Sequence, residues 1–182
     1  MFKKSMALTF ALLFAVGAHL RPVCDVSLAG EPVARGCSLQ TVREAERAAA
    51  ATAEEILRDD ALPPLFERRV RLSFRRPGRE TRPLTDALLR ATEGVALWDC
   101  VSVGGRRLGF VRDGDALRER LRGYIENTLP AWAKGGTLAA PLTIRRLYTR
   151  ADYAASEADM LLLITGAAPV FYCDGAGRFA RA

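Results

Sequence analysis

The 182-residue chain is 49% hydrophobic and 26% charged, ordinary values for a globular protein, and long enough for one medium domain or two small ones. Its formal net charge of +6 includes Lys3 and Lys4, and a balance that mild, without a basic recognition module, argues against nucleic acid as a partner. The only histidine is His19, and after Lys4 the only lysine is Lys134. Beyond the first twenty residues there is therefore no imidazole for a Ser-His-Asp or Cys-His site, nor for a histidine-ligated zinc.

Residues 1–21 read as a targeting segment. Lys3 and Lys4 form a positive start, Ser5 to Leu20 is an uncharged and mostly apolar run, and Val16-Gly17-Ala18 supplies small residues suited to cleavage. The run is short for a membrane-spanning helix. It predicts either a cleaved secretory signal or an uncleaved N-terminal anchor, and in both cases an extracytoplasmic protein. Any membrane contact would run through this segment alone.

Val23 to Arg35 reads as a hairpin turning at Ala29-Gly30. Ser38 is a good N-cap for a helix from Val42 to Leu57, ended by Asp59-Asp60 and Pro63-Pro64. Phe66 to Arg76 alternates as a strand, with Val70, Leu72 and Phe74 on a face expected to be core and Arg69, Arg71, Ser73 and Arg75 on a wet one. Thr85 to Thr92 is a short helix stopped near Gly94. Val95 to Val103 and Arg106 to Val111 make a second hairpin around Gly104-Gly105, and Asp113 caps a helix running to about Asn127. Pro130 and Gly135-Gly136 mark a loop, and Leu142 to Thr149 is a strand. Ser156-Glu157-Ala158-Asp159 has the form of a capping box opening a helix to Ile164, stopped by Gly166. Ala168 to Cys173 and Arg178 to Ala180 form a terminal hairpin.

These elements align with themselves. Val26-Ser27 and Gly30 match Val101-Ser102 and Gly105 at an offset of 75 residues, as Arg43-Glu44 and Arg47 match Arg118-Glu119 and Arg122. Val70 to Arg76 matches Ile144 to Arg150 at 74, and Asp86, Leu88, Leu89 and Thr92 match Asp159, Leu161, Leu162 and Thr165 at 73. The reading is a duplicated hairpin–helix–strand–helix unit of about 75 residues, residues 22–97 and 98–182, with the terminal hairpin in the second copy. The expected fold class is α+β, an antiparallel sheet with helices packed on one face.

Val101, Val103, Gly105, Leu108, Gly109, Val111 and Asp113, with Ser156, Glu157, Asp159, Met160 and Leu161, carry a resemblance. They are similar to the non-catalytic N-terminal repeat region of secreted Gram-positive lysostaphin-type peptidoglycan metallopeptidases. Those enzymes bind zinc through histidines and an aspartate, and His19 lies in the leader. The resemblance therefore implies the accessory repeats without the peptidase domain, and association with the cell wall or with a wall hydrolase.

Several side chains carry two readings. Arg69, Arg71 and Arg75, with Arg68, Arg76, Arg79 and Arg82 nearby, form the densest positive patch: a grip for an anionic wall polymer or lipid headgroups, or a solvated sheet face. Cys24 and Cys37 fall on the arms of the first hairpin, either as a disulfide or as free buried thiols like Cys100 and Cys173. The acid pairs Glu54-Glu55, Asp59-Asp60 and Asp113-Asp115 could serve a carboxylate hydrolase, but they sit at helix ends, where acids offset the dipole. Trp98, Phe171 and Tyr172 read as core rather than as a sugar-stacking platform.

The combined expectation is an exported, non-enzymatic envelope module with no cofactor or metal. Its partner would be peptidoglycan, an anionic wall polymer or an envelope protein. The alternative is a carboxylate-dependent wall hydrolase.

Overall fold

The computed structural model describes residues 20–58, 63–176 and 178–181. The chain is α+β with mainly antiparallel strand pairing, and it divides into two units after Glu93.

The first unit contains β1 (Arg21–Leu28), β2 (Glu31–Cys37), α1 (Leu39–Leu57), β3 (Glu67–Ser73) and α2 (Arg82–Ala91). Ala29 and Gly30 both take positive φ, 50° and 82°, the handedness that lets a two-residue turn follow the twist of its strands. The first arm is central in a sheet ordered β2-β1-β3. Ser38 Oγ accepts the Thr41 N–H at 2.9 Å and starts α1 three residues ahead of the expected Val42. Val42, Ala45, Ala49 and Ala53 recur at helical spacing and are buried. Three of those four are alanines, so neighbouring elements can approach the helix closely. Leu84, Leu88 and Leu89 of α2 complete this core. Pro83 is in the first turn of α2, where a missing N–H costs nothing. The expected stop at Asp59-Asp60 lies outside the described residues.

Strand β3 departs from the expected pattern. Val70 and Leu72 do stand opposite Cys24 and Pro22, and so share the face on which Cys24 is buried. They are not core: Val70, Leu72 and Phe74 are 56%, 64% and 65% exposed. Alternation fixed which side chains share a face, but β3 is the edge strand and its helix-side residues are left uncovered.

The second unit contains β4 (Val95–Val103), β5 (Arg106–Val111), α3 (Gly114–Asn127), β6 (Gly135–Leu138), β7 (Leu142–Arg150), a 3-10 turn (Ala151–Tyr153), β8 (Ala154–Ala155), α4 (Glu157–Ala167), β9 (Val170–Cys173) and β10 (Phe179–Arg181). Its larger sheet is ordered β7-β4-β5-β8, so the first hairpin arm is flanked by its partner β5 and by β7, the second strand after the long helix; the first strand after it, β6, joins a separate sheet. Val101, Val103, Val111, Leu117, Met160 and Ile164 form the core. Asp113 Oδ1 accepts the Asp115 and Ala116 N–H groups at 2.9 Å each, and Ser156 Oγ accepts the Asp159 N–H at 3.1 Å.

Three details differ from the expected elements. Gly135-Gly136 is not loop: it opens β6, which pairs with β9 in a second sheet ordered β10-β9-β6. A Cβ at Gly136 would lie 2.7 Å from Ile125 Cγ2 and 3.1 Å from the Tyr172 ring, so glycine is what lets this strand approach so closely. Helix α4 continues through Gly166 to Ala167. The pairing is not wholly antiparallel, because β8 runs parallel to β5.

Candidate functional site

In the first unit, Arg69 and Arg71 of β3 line an open groove with Asp25, Ser27 and Arg35, enclosing about 400 Å³. Strand alternation puts Arg69 opposite Asp25 and Arg71 opposite Val23, on the sheet face away from Cys24. Arg71 grips Asp25 at two points, Nε to Oδ2 at 2.8 Å and Nη2 to Oδ1 at 3.3 Å. Asp25 Oδ1 also accepts the Gly36 N–H at 2.7 Å. The Arg71 hydrogen bond, then the Gly36 N–H, hold the Asp25 carboxyl below its ordinary range, and Asp25 in turn raises Arg71.

Asp25 thus occupies Arg71 and leaves two cations. Among the described residues neither Arg35 nor Arg69 has a carboxylate within ion-pair distance. Three guanidinium groups stand with the Asp25 carboxylate and, at the edge, the Glu67 carboxylate, which accepts the hydroxyl of the groove's Ser27 at 3.0 Å, so a net of one positive charge remains. Arginine presents a planar fork of donors matched to phosphate and carboxylate oxygens, so the groove is chemically suited to a polyanion.

Comparison of the chain with protein-family models, with curated proteins and with solved structures finds no match. The reading of the site therefore rests on its own residues.

Of the three arginines singled out in the sequence, Arg69 and Arg71 come together and Arg75 does not: it follows the end of β3, where its N–H donates to Ser73 Oγ at 3.1 Å. Arg68 points to the helix side and pairs with Glu46 of α1. Sequence reasoning missed Arg35. The signal was its place in the second arm of a hairpin whose first arm pairs with the arginine-rich strand, and reading it required the strand order.

A second groove, of about 380 Å³, lies between α3 and β6 in the other unit. Leu121, Ile125 and Leu129 give it apolar walls. Its Arg118 and Arg122 are paired along the helix with Asp115 at 3.9 Å and Glu119 at 3.1 Å. With two of its three cations already matched, it is the weaker anion site.

The remaining candidates have structural partners or open exposure. Asp113 caps α3, and Glu54-Glu55 are exposed. Lys134 packs along Gly175, where a Cβ would meet its Nζ at 2.9 Å. Tyr172 is buried and its hydroxyl is 2.7 Å from Thr128 Oγ1, while Trp98 Nε1 donates to the Ala151 carbonyl at 3.3 Å. Cys24 and Cys37 are register partners across β1 and β2, both buried and both free, and burial raises both thiol pKa values. Among the described residues, no cluster of three or more His, Cys, Asp or Glu could hold a metal ion, and no helix is long and apolar enough to cross a membrane.

Proposed function

We propose that the chain is an exported, non-enzymatic module of the bacterial cell envelope that binds an anionic wall polymer through the groove of its first unit. The observation that carries this is the meeting of Arg35 and Arg69, without carboxylate partners of their own among the described residues, beside the Asp25–Arg71 pair. A repeating polyanion would engage both guanidinium groups at once, and its binding would weaken with salt. The leader-like residues 1–21 support export, and the lack of histidine beyond His19 supports a binding role over a catalytic one. The shared position of the first hairpin arm, central in β2-β1-β3 and in β5-β4-β7, supports descent of the two units from one duplicated unit. Incubation with purified peptidoglycan carrying its anionic polymer tests the proposal: the protein sediments with the wall and releases no soluble fragments. Release of fragments, abolished by an acid-to-amide substitution, would overturn it in favour of a carboxylate hydrolase.

A further inference from the structure

We infer that the sheet face of the second unit that carries Trp98 and Phe110 is a binding platform for single-stranded nucleic acid. This goes beyond the polymer groove: it concerns other residues, on the other unit, and a ligand that offers planar bases as well as charge.

The pairing of β4 with β7 runs from Val95↔Arg150 to Val103↔Leu142 without a register shift, so alternation sorts its side chains cleanly. Val101 and Val103 join the core with residues of α3 and α4, and Trp98, Cys100 and Ser102 face the other way. Register brings Arg145 and Leu147 of β7, and Arg107 and Phe110 of β5, to that same side. Arg112 follows β5, with its guanidinium 5.7 Å from the centre of the Trp98 ring, and that of Arg107 is 5.8 Å from the centre of the Phe110 ring. The two rings are half-buried, and Arg107, Arg112 and Arg145 are exposed.

Among the described residues, none of these three arginines has a carboxylate within ion-pair distance. The nearby acids are engaged or remote. Asp113 caps α3, Asp152 pairs with Arg150, and Asp99 turns to the helix side, to the Gly114 N–H and Arg146. Glu93 precedes β4, at the end away from Arg107. Counting Asp113 against the three arginines still leaves an excess of positive charge. The mild net charge of the chain is a sum over both units, and this face departs from it.

Aromatic rings and arginines together on an open sheet make a flat, cationic, π-rich surface. Single strands are bound on such surfaces, with bases stacked on rings and guanidinium planes while cations track the phosphates. Trp98 and Phe110 are diagonal neighbours on adjacent strands, about 7–8 Å apart, which seats two bases side by side. A duplex hides its base faces, and a flat sheet face has nothing to enter a groove. A phosphate polymer without rings leaves Trp98 and Phe110 unused. An acidic glycan has charge but no π-face to lie on a guanidinium plane. A lipid surface needs rings that stand clear of the sheet, whereas Trp98 is tied by its N–H to the Ala151 carbonyl. A second copy of the same face brings like charges together.

The test uses the full chain and a short fluorescein-labelled oligothymidine, followed by anisotropy. The single strand binds, and a duplex of equal length, polyphosphate and polygalacturonate each bind at least about tenfold more weakly. Phe110→Leu, which keeps the position apolar, weakens binding at least about fivefold. Arg145→Gln lowers the slope of log K against log salt by about 0.7, as the loss of one phosphate contact requires. The triple variant Arg107→Gln, Arg112→Gln, Arg145→Gln no longer binds. In a Trp132→Phe background the strand quenches the remaining tryptophan, Trp98. If the triple variant loses the wild-type circular dichroism, Arg145→Gln alone, on an exposed side chain, carries the test. No binding of the strand, equal binding of the other polyanions, or unchanged binding by the variants would overturn the inference. So would tighter binding to phosphatidylglycerol vesicles through the same arginines, or self-association in light scattering that their removal abolishes. The Arg35→Glu, Arg69→Glu double variant keeps strand binding and the triple variant keeps wall binding. Loss of strand binding in the double variant would move the site to the first unit and overturn the inference, so the two proposals fail separately.

Discussion

Arg71 reaches from β3 to Asp25 on the neighbouring strand, and the same carboxylate takes the Gly36 N–H from β2, so one side chain ties three strands together. Asp25 is held below the ordinary aspartate value of 3.8, chiefly by the Arg71 hydrogen bond. A carboxyl whose pKa is lowered by folding stabilises the fold above its unfolded value and loses that contribution as pH falls through its folded value. Wild type is therefore more stable than Asp25→Asn at neutral pH. The gap closes as pH drops below 3.8. Urea unfolding at a series of pH values checks this, and a gap that persists into strong acid would contradict it.

The uncovered row on β3 makes a sharp contrast with the helix core. Leu88 is fully buried, and Leu88→Ala is expected to cost about 2–5 kcal/mol. Leu72→Ala is expected to stay within about 0.5 kcal/mol, as for other exposed positions. Chemical denaturation of the two variants measures the difference directly. Equal losses would place Leu72 in a buried contact.

The difference between those two leucines also shows what the sequence could convey. Local signals located the hairpins, the capped helices and the alternation of β3, because glycine turns, Ser38 and Asp113 act through neighbours in the chain. Which apolar face is covered depends on strand order, a long-range property, so Val70 and Leu72 read as core although they lie at an edge. Arg35 was missed for the same reason. Gly135-Gly136 read as loop because glycine is ordinarily a poor strand residue, and its use here depends on Tyr172 and Ile125 on other elements.

That close approach gives a packing prediction. Gly136→Ala would drive a methyl group to 2.7 Å from Ile125 Cγ2. Overpacking of this kind costs about 1–3 kcal/mol. In the Ile125→Ala background the added methyl finds space, and the penalty of Gly136→Ala should shrink. A double-mutant cycle by urea unfolding reads this coupling, and strict additivity would contradict the contact.

The cysteines differ in access. Cys24, Cys37 and Cys100 are buried, whereas Cys173 is partly exposed. Iodoacetamide applied to the folded, reduced protein should label Cys173 first, and denaturation should release the other three. Directly opposed residues on antiparallel strands have Cα atoms about 4.5–5.5 Å apart, a separation that a disulfide spans. Refolding with oxidised glutathione should therefore link Cys24 to Cys37, while the folded protein, with both thiols buried, should resist the same oxidant. Peptide mapping without reduction distinguishes these outcomes.

The most direct test of the polymer-binding groove is co-sedimentation of wild type and the Arg35→Glu, Arg69→Glu double variant with cell walls that retain or lack their anionic polymer. Wild type should sediment with the polymer-bearing walls, come off as salt is raised, and remain in solution with stripped walls. The double variant, folded by circular dichroism, should remain in solution with both. Sedimentation of the double variant at the wild-type level would contradict the groove as the binding site.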